Sequence, residues 1–322
     1  MFLFISICDN IFIMYELIII GGGPAGVAAG VYASRKQLKT LLITDKFGGQ
    51  SIVSDGIENW IGEVKIPGLD LARKLEEHLR AYAGNFVDIK TATFVKKVSK
   101  IEGGFKVETT DGEFTSKTVL VATGSTRRKI TAVGADKFEH KGLTYCASCD
   151  GPIFRDKDVV VVGGGNSAFE SAAQLLAYAK SVTLIHRREE FRADPVTVEN
   201  LRTNPKFNIV TNAEITEVFG DFLVSGMRYR DNKTGEEKTL NVTGIFVEIG
   251  AIPAVDFVSD LVELDENGTV KINPWDQKTN VPGIWAAGDC TNILYHQNNI
   301  ASGDGVRALE DIFVWLKTTT TL

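Results

Sequence analysis

Two glycine-rich turns, one at residue 21 and one at residue 163, constrain this chain more than any other feature. The first follows a short β-rich apolar run at residues 15–20. It reads Gly21-Gly22-Gly23-Pro24-Ala25-Gly26 and leads into a segment, 27–36, with the pattern of a helix. Gly21, Gly23 and Gly26 fit the G-x-G-x-x-G spacing. Gly21 permits the turn, Gly23 lets the backbone approach a pyrophosphate, and Gly26 lets helix and strand pack closely. Pro24 and Ala25 lie within the turn, and the helix start that follows offers free N–H groups and a positive dipole end to the phosphates. The next strand, 40–44, is expected to end at Asp45, an acid placed for ribose hydroxyls.

The pattern returns at residues 159–162, an all-valine strand followed by Gly163-Gly164-Gly165-Asn166-Ser167-Ala168. Ala168 takes the third-glycine place, which the fingerprint permits, and 169–178 reads as the helix. The following strand, 182–185, ends not in an acid but in His186-Arg187-Arg188, with Arg192 one helical turn further. An acid there would repel a 2′-phosphate, whereas arginines bind it bidentately. The second site is therefore expected to take NADPH rather than NADH. A lone glycine match is weak; two copies, each with its strand, helix and terminal group, are specific. Two dinucleotides in one chain point to electron transfer, and flavin with nicotinamide is the usual pair.

Bulk properties narrow the rest. A chain of 322 residues accommodates two domains. The net charge of −6 gives no basic face for nucleic acid. Only one close pair exists among the four cysteines, so a secreted disulfide scaffold is disfavoured and a cytoplasmic setting is expected. Residues 1–13 are apolar but lack the basic start and small-residue cleavage site of a signal peptide. They are also too few to span a membrane before the glycine turn. Met14 is the expected natural start, with 1–13 a spurious or poorly ordered extension.

The close pair is Cys146-Ala147-Ser148-Cys149, followed by Asp150. A structural zinc would need four ligands, and the four histidines lack ligand spacing around this pair. A redox dithiol is favoured, since two thiols at this spacing close a small disulfide and a helix-like turn lowers thiol pKa. Asp150 admits two readings: a turn or cap residue, or the group that shuttles the proton of thiol–disulfide exchange. His186 admits a surface contact or a phosphate ligand, and the arginines a solvated charge run or a phosphate site. Cys290 reads as a buried apolar residue and the four tryptophans as packing. Arg127, Arg128 and Lys129 read as an exposed patch.

Taken together, these motifs resemble the low-molecular-weight thioredoxin reductase family, which includes the flavoprotein part of alkyl hydroperoxide reductase. The resemblance runs from Met14 to the C-terminus. It rests on Gly21 to Gly26, Gly48-Gly49-Gln50, Ile57-Glu58-Asn59-Trp60, Ala122-Thr123-Gly124, Cys146 to Asp150, Gly163 to Ala168, His186 through Arg192, and Gly288-Asp289. It implies an α/β fold of two Rossmann-like dinucleotide-binding domains, with the NADPH domain (124–249) inserted into an FAD domain (14–123 and 250–322). FAD would be held by the first glycine pattern, Gly49, Gln50, Asn59, Gly124, Gly288, Asp289 and Gln297, the last at the start of the final helix. Cys149 would lie nearer the flavin, Cys146 would attack the partner disulfide, and Asp150 would be the acid–base residue. The family also implies a homodimer, a thioredoxin-like protein partner and a swinging NADPH domain.

The chain departs from the pattern in places. Tyr295-His296-Gln297 stands where the family often has Tyr-Arg-Gln. Asp150 to Phe154 and Gly288 to Thr291 look closer to the hydroperoxide-reductase flavoprotein, a branch that prefers NADH and lacks the arginine cluster. This chain keeps the arginines. It is expected to lack that branch's extra N-terminal redox domain and so to pass its electrons to a separate protein. The rival readings are an NADH-dependent reductase of a peroxidase adaptor, a flavin-linked dithiol oxidase, a ferredoxin reductase without a dithiol step, and a non-catalytic flavin redox sensor.

Overall fold

The structure is a computed structural model that describes residues 14–54 and 56–319. The expectation for the 1–13 extension lies outside these residues. The chain forms two compact units. The first comprises the segments ending at Gly56 and at Thr126 (from Trp60) and the segment from Ile252 onward; the second holds Arg127–Ala251 with Ile57–Asn59. The two passages between them, Ser125–Arg127 and Ala251–Pro253, pair as a two-stranded sheet.

The first unit is built on a seven-stranded sheet. Its parallel part runs Val87–Lys90, Thr40–Phe47, Met14–Gly22, Gly112–Val121 and Ile284–Ala286, extended by the antiparallel strands Gly104–Thr109 and Val95–Ile101. Successive residues of the first strand point to opposite faces, and both faces are buried. Leu17 and Ile19 pack with the helices Pro24–Arg35 and Asn298–Thr319, while Ile18 and Ile20 pack with Val107, Val119 and Val258. The first helix begins at Pro24, earlier than its apolar pattern suggested. A proline tolerates the first helical position because the N–H it lacks has no intrahelical partner there.

The second unit carries an all-parallel five-stranded sheet in the order Phe207–Val210, Ser181–Ile185, Asp158–Val162, Gly244–Val247, Leu143–Thr144. Its central strand is the valine run, with Val159, Val160 and Val161 fully buried. The helix Asn166–Leu175 packs on one face through Ala168, Phe169 and Ala172. A three-stranded antiparallel sheet, Ala213–Gly220, Val224–Asp231 and Glu237–Leu240, contributes Val218 and Met227 to the cluster on the other face.

Close packing of the final helix on the first helix depends on Gly305. A Cβ on Gly305 would lie 2.1 Å from the carbonyl oxygen of Ala25, whereas one on Gly303 would meet nothing within 4 Å. Gly305→Ala is therefore expected to destabilise by about 1–3 kcal/mol through overpacking. Gly303→Ala is expected to stabilise by about 0.5–1 kcal/mol through helix propensity. Calorimetric melting of the two variants beside the parent measures both signs; two shifts of the same sign would refute the packing account.

Candidate functional site

Four segments converge in the first unit around its glycine turn. A Cβ on Gly21, whose φ is +123°, would sit 2.2 Å from the Ala122 carbonyl oxygen, so only glycine lets the turn close against the neighbouring strand. Gly26 is just as confined, with 1.9 Å from its Cβ position to the Gly21 oxygen. The backbones of Gly23 and Gly49 approach each other, a Cβ on Gly49 lying 3.6 Å from the Gly23 Cα. This leaves a cradle without side chains of the kind a pyrophosphate enters. Gly288, with φ +75°, packs on Ala25 and Ala301, and Ser51 Oγ donates to Asn298 Oδ1 at 2.8 Å. Gln50 Nε2 lies 3.4 Å from Ser125 Oγ. Asp304, buried beneath the Gly288 turn, accepts from Arg307 at 3.0 Å.

Asp45 is exposed, but the strand does not stop there: it continues to Phe47, which is buried, and Gly48 N–H bonds to the Gly22 carbonyl at 2.9 Å. Gln297 sits just before the final helix, and its carbonyl accepts the Ala301 N–H at 2.9 Å. Asn59 does not fall with these loops. It is grouped with the second unit, where its Nδ2 is 4.0 Å from Cys149 Sγ. The glycines, the free helix start and the side-chain-free cradle fit a dinucleotide.

The second unit repeats the arrangement. A Cβ on Gly163 would lie 2.3 Å from the Glu248 carbonyl oxygen and 2.8 Å from the Ala168 Cβ, while Gly165 is open. The segment after Ile185 folds back over this turn. Arg192 N–H donates to the Gly164 carbonyl at 2.8 Å, and Asp194 N–H to Asn166 Oδ1 at 2.8 Å. Arg192 is thereby brought to the glycine turn; Arg187, Arg188 and Arg192 are exposed, as is Ser167, and the three arginine charges act on His186. His186 packs its ring on Gly164, and its Nε2–H donates to the Glu190 carbonyl at 3.2 Å. Burial first, then the charges of Arg188, Arg187 and Arg192, pull its pKa below the ordinary histidine value. His186 steadies the loop, and the arginines carry the exposed cationic charge of this segment.

Cys146 and Cys149 are joined as a disulfide. The short helix Ala147–Asp150 follows the strand Leu143–Thr144, with Cys149 N–H directed at Cys146 Sγ at 3.1 Å. Cys149 is exposed and Cys146 half-buried. Ser148 Oγ donates to Gln174 Oε1 at 2.8 Å, which ties the dithiol turn to the nucleotide helix. Tyr145 donates to Glu139 at 2.8 Å, and Lys129 pairs with the same carboxylate at 2.6 Å. Asp150 Oδ2 accepts from Thr144 Oγ1. Burial pushes the Asp150 pKa up, while the Thr144 hydroxyl and the charge of His140 hold it back.

The sequence matches the pyridine nucleotide-disulphide oxidoreductase family across residues 15–305. The chain belongs to that family. Among its relatives, a component of the alkyl hydroperoxide reductase of Staphylococcus epidermidis is 41% identical over 305 residues, a match that covers 94% of this chain and 59% of the relative. The chain thus spans little more than half the length of these relatives. Among solved structures, a thioredoxin reductase from Streptococcus pyogenes superposes with TM-score 0.87 at 34% identity, covering 95% of this chain and 99% of that one. A thioredoxin reductase from Giardia duodenalis superposes with TM-score 0.89 at 31% identity, covering 94% and 99%.

As a pyridine nucleotide-disulphide oxidoreductase of the low-molecular-weight thioredoxin reductase class, the protein is a flavoprotein enzyme with two dinucleotide-binding domains, one inserted in the other. It binds FAD and a pyridine nucleotide, and its cysteine pair is a redox disulfide.

Sequence reasoning passed over three residues of the site. Thr144 and His140 adjust the carboxyl beside the dithiol, and Glu248 lies against the second glycine turn. Cys290 is fully buried and its thiol is pushed up to about 11, in keeping with an inert residue.

Because the Thr144 hydroxyl favours the charged form of Asp150, Thr144→Val is expected to raise the carboxyl's pKa further. The descending, high-pH limb of dithiol–disulfide exchange should then move up by about half to one pH unit. Stopped-flow exchange with a small aromatic disulfide across pH measures it; a limb moving downward would deny Asp150 the role of acid.

Proposed function

We propose that this protein is an NADPH-dependent thioredoxin-disulfide reductase: it moves electrons from NADPH, through FAD and the Cys146–Cys149 pair, to the disulfide of a thioredoxin-fold protein. One observation carries the reading. Three exposed arginines and a redox disulfide stand at the carboxyl ends of one parallel sheet, on opposite sides of its glycine turn. The arginines supply bidentate charge for a 2′-phosphate. The dithiol supplies the means of reducing a protein disulfide.

In this reading the first unit holds FAD with Gly21, Gly23, Pro24, Ala25, Gly26, Asp45, Gly49, Gln50, Gly124, Gly288, Asp289 and Gln297, while Asn59 lies in the second unit. The second holds NADPH with Gly163, Gly165, Asn166, Ser167, His186, Arg187, Arg188 and Arg192. Bound FAD supplies the two-electron relay between the nicotinamide and the disulfide. The chain's own part begins with the reduced pair. Cys146 thiolate attacks the partner disulfide and forms a mixed disulfide. The leaving thiolate takes a proton from Asp150, whose raised pKa suits an acid. Cys149 then attacks the Cys146 sulfur, re-forms the internal disulfide and frees the partner as a dithiol. The protein acts as a cytoplasmic homodimer in this reading. Among the described residues, no helix is long and apolar enough to cross a membrane.

The relatives named for alkyl hydroperoxide reductase support a second partner, a peroxidase or its adaptor. Anaerobic titration of the yellow protein with NADPH, followed by candidate disulfide proteins, separates the two: reoxidation by thioredoxin supports the first, and reoxidation only by a peroxidase supports the second.

Two variants test the chemistry. Cys149→Ser is expected to keep flavin reduction by NADPH while disulfide turnover falls to background; persistent turnover would refute the dithiol assignment. Arg187→Ala with Arg188→Ala is expected to raise the KM for NADPH on the order of tenfold or more, with the KM for NADH little changed. Equal effects on both cofactors would remove the phosphate role.

A further inference from the structure

We propose that Glu248 lines the nicotinamide half of the second crevice and, as a carboxylate, pairs with the cationic ring of the oxidised nucleotide, so that the protein distinguishes oxidised from reduced pyridine nucleotide. The inference rests on the reading that this crevice takes the pyridine nucleotide.

Sheet order sets the direction in which the ligand lies. A dinucleotide crosses the carboxyl ends of the strands with its pyrophosphate at the glycine turn. The central strand, Asp158–Val162, has Ser181–Ile185 on one side and Gly244–Val247 on the other. The arginines that fit the 2′-phosphate follow Ile185, so the adenosine half lies on that side. The nicotinamide half must extend the other way, over the end of Gly244–Val247, and Glu248 is the next residue. Its N–H donates to the Val162 carbonyl at 2.8 Å, and its own carbonyl abuts Gly163, which places it directly at the turn. The dithiol strand lies one step further in the same direction. Thr144 pairs with Phe246, and Cys146 and Glu248 each come two residues later.

The chain contains its own comparison. In the first unit the carbonyl pressed against Gly21 is that of Ala122, which leads to Gly124 with φ +66°. In the second it is that of Glu248, which leads to Gly250 with φ +101°. The same backbone position thus carries a methyl group in one unit and a carboxyl group in the other. The packing needs no carboxyl there.

One oxygen of that carboxyl is engaged, Oε1 accepting from Ser171 Oγ at 2.9 Å. The charged groups that face it are Arg127, from the connecting strand, and Glu170, from the nucleotide helix. Burial and Glu170 disfavour the carboxylate, and Arg127 favours it; the balance lies upward from the ordinary glutamate range. A cationic ring beside the group shifts that balance back. Binding of the oxidised nucleotide then releases the carboxyl proton to solvent, and the affinity for it rises with pH. The neutral reduced ring gains nothing from the charge.

The test is equilibrium binding to the oxidised FAD-loaded enzyme by titration calorimetry at several values between about pH 5 and pH 8.5. NADP+ is compared with 2′-phospho-ADP-ribose, and NAD+ with ADP-ribose. Each fragment lacks the ring but keeps every other titrating group, so the ratio within a pair isolates the nicotinamide end. In the parent, the whole nucleotide is expected to gain on its fragment by about fivefold or more as pH rises. In Glu248→Gln, which preserves an acceptor for Ser171, that gain should vanish while fragment binding persists. A flat ratio in the parent, or an unchanged slope in the variant, overturns the inference. If neither pair binds, the nucleotide reading of this crevice falls, and the inference with it.

Discussion

The arrangement depends on a repeated close contact: the first glycine of each turn lies against the main-chain carbonyl that ends the strand beside it. For Gly21 the oxygen is that of Ala122, and for Gly163 that of Glu248, each little more than 2 Å from where a Cβ would stand. A side chain at either glycine would force turn and strand apart. The contact does more than permit a turn. It holds the following helix start at the end of the central strand, where its free N–H groups meet phosphate. It also brings the residues just past the neighbouring strand, 122–124 and 248–250, into the crevice. The shape of the crevice in both units grows from that backbone constraint.

Parallel topology then decides which groups share a crevice. In the second unit the strand ends present, in spatial order, the arginine segment, the glycine turn, Glu248 and Cys146, though their order along the chain is different. Crossovers between parallel strands make this possible, because each new strand can be laid on either side of the first. The nucleotide helix ties the two ends together. Its start faces the glycine turn, while Gln174 near its end takes a hydrogen bond from Ser148 inside the dithiol turn. A displacement of that helix would reach both the nucleotide crevice and the disulfide.

What was legible in the sequence is what is local. The glycine turns, the arginine cluster and the cysteine pair each lie within a short stretch with its own spacing rule, and Arg192 N–H meets the Gly164 carbonyl of the second turn. Glu248 gave no such signal, since an acid after an apolar strand reads as an ordinary strand end. Its place beside Gly163 and Ser171 comes from strand register across a long chain separation. Arg127, read as part of an exposed patch, is half-buried and its charge acts on Glu248. Trp275, read as packing, is 84% exposed, while Trp285 is buried and bonded to Asp311. Burial of a large side chain is a tertiary outcome that composition alone does not decide.

Asp150 and Glu248 have a common physical character. Each is a carboxyl group raised by burial, steadied by one hydroxyl, and placed just past one of two neighbouring parallel strands. Their placement matches the proton balance of the proposed reaction. Reduction of a disulfide by a reduced nicotinamide needs one proton beyond the transferred hydride, and it leaves a cation where the hydride departed. In the proposed reaction Asp150 would protonate a thiolate and Glu248 would meet the positive charge that develops on the nicotinamide. Among the described residues, neither carboxyl is locked in a close ion pair that would hold it permanently ionised. In the proposed reaction the chain thus sets a carboxyl group with a raised pKa at each of these two places, one to give a proton to sulfur and the other to lose its proton when the nicotinamide becomes charged.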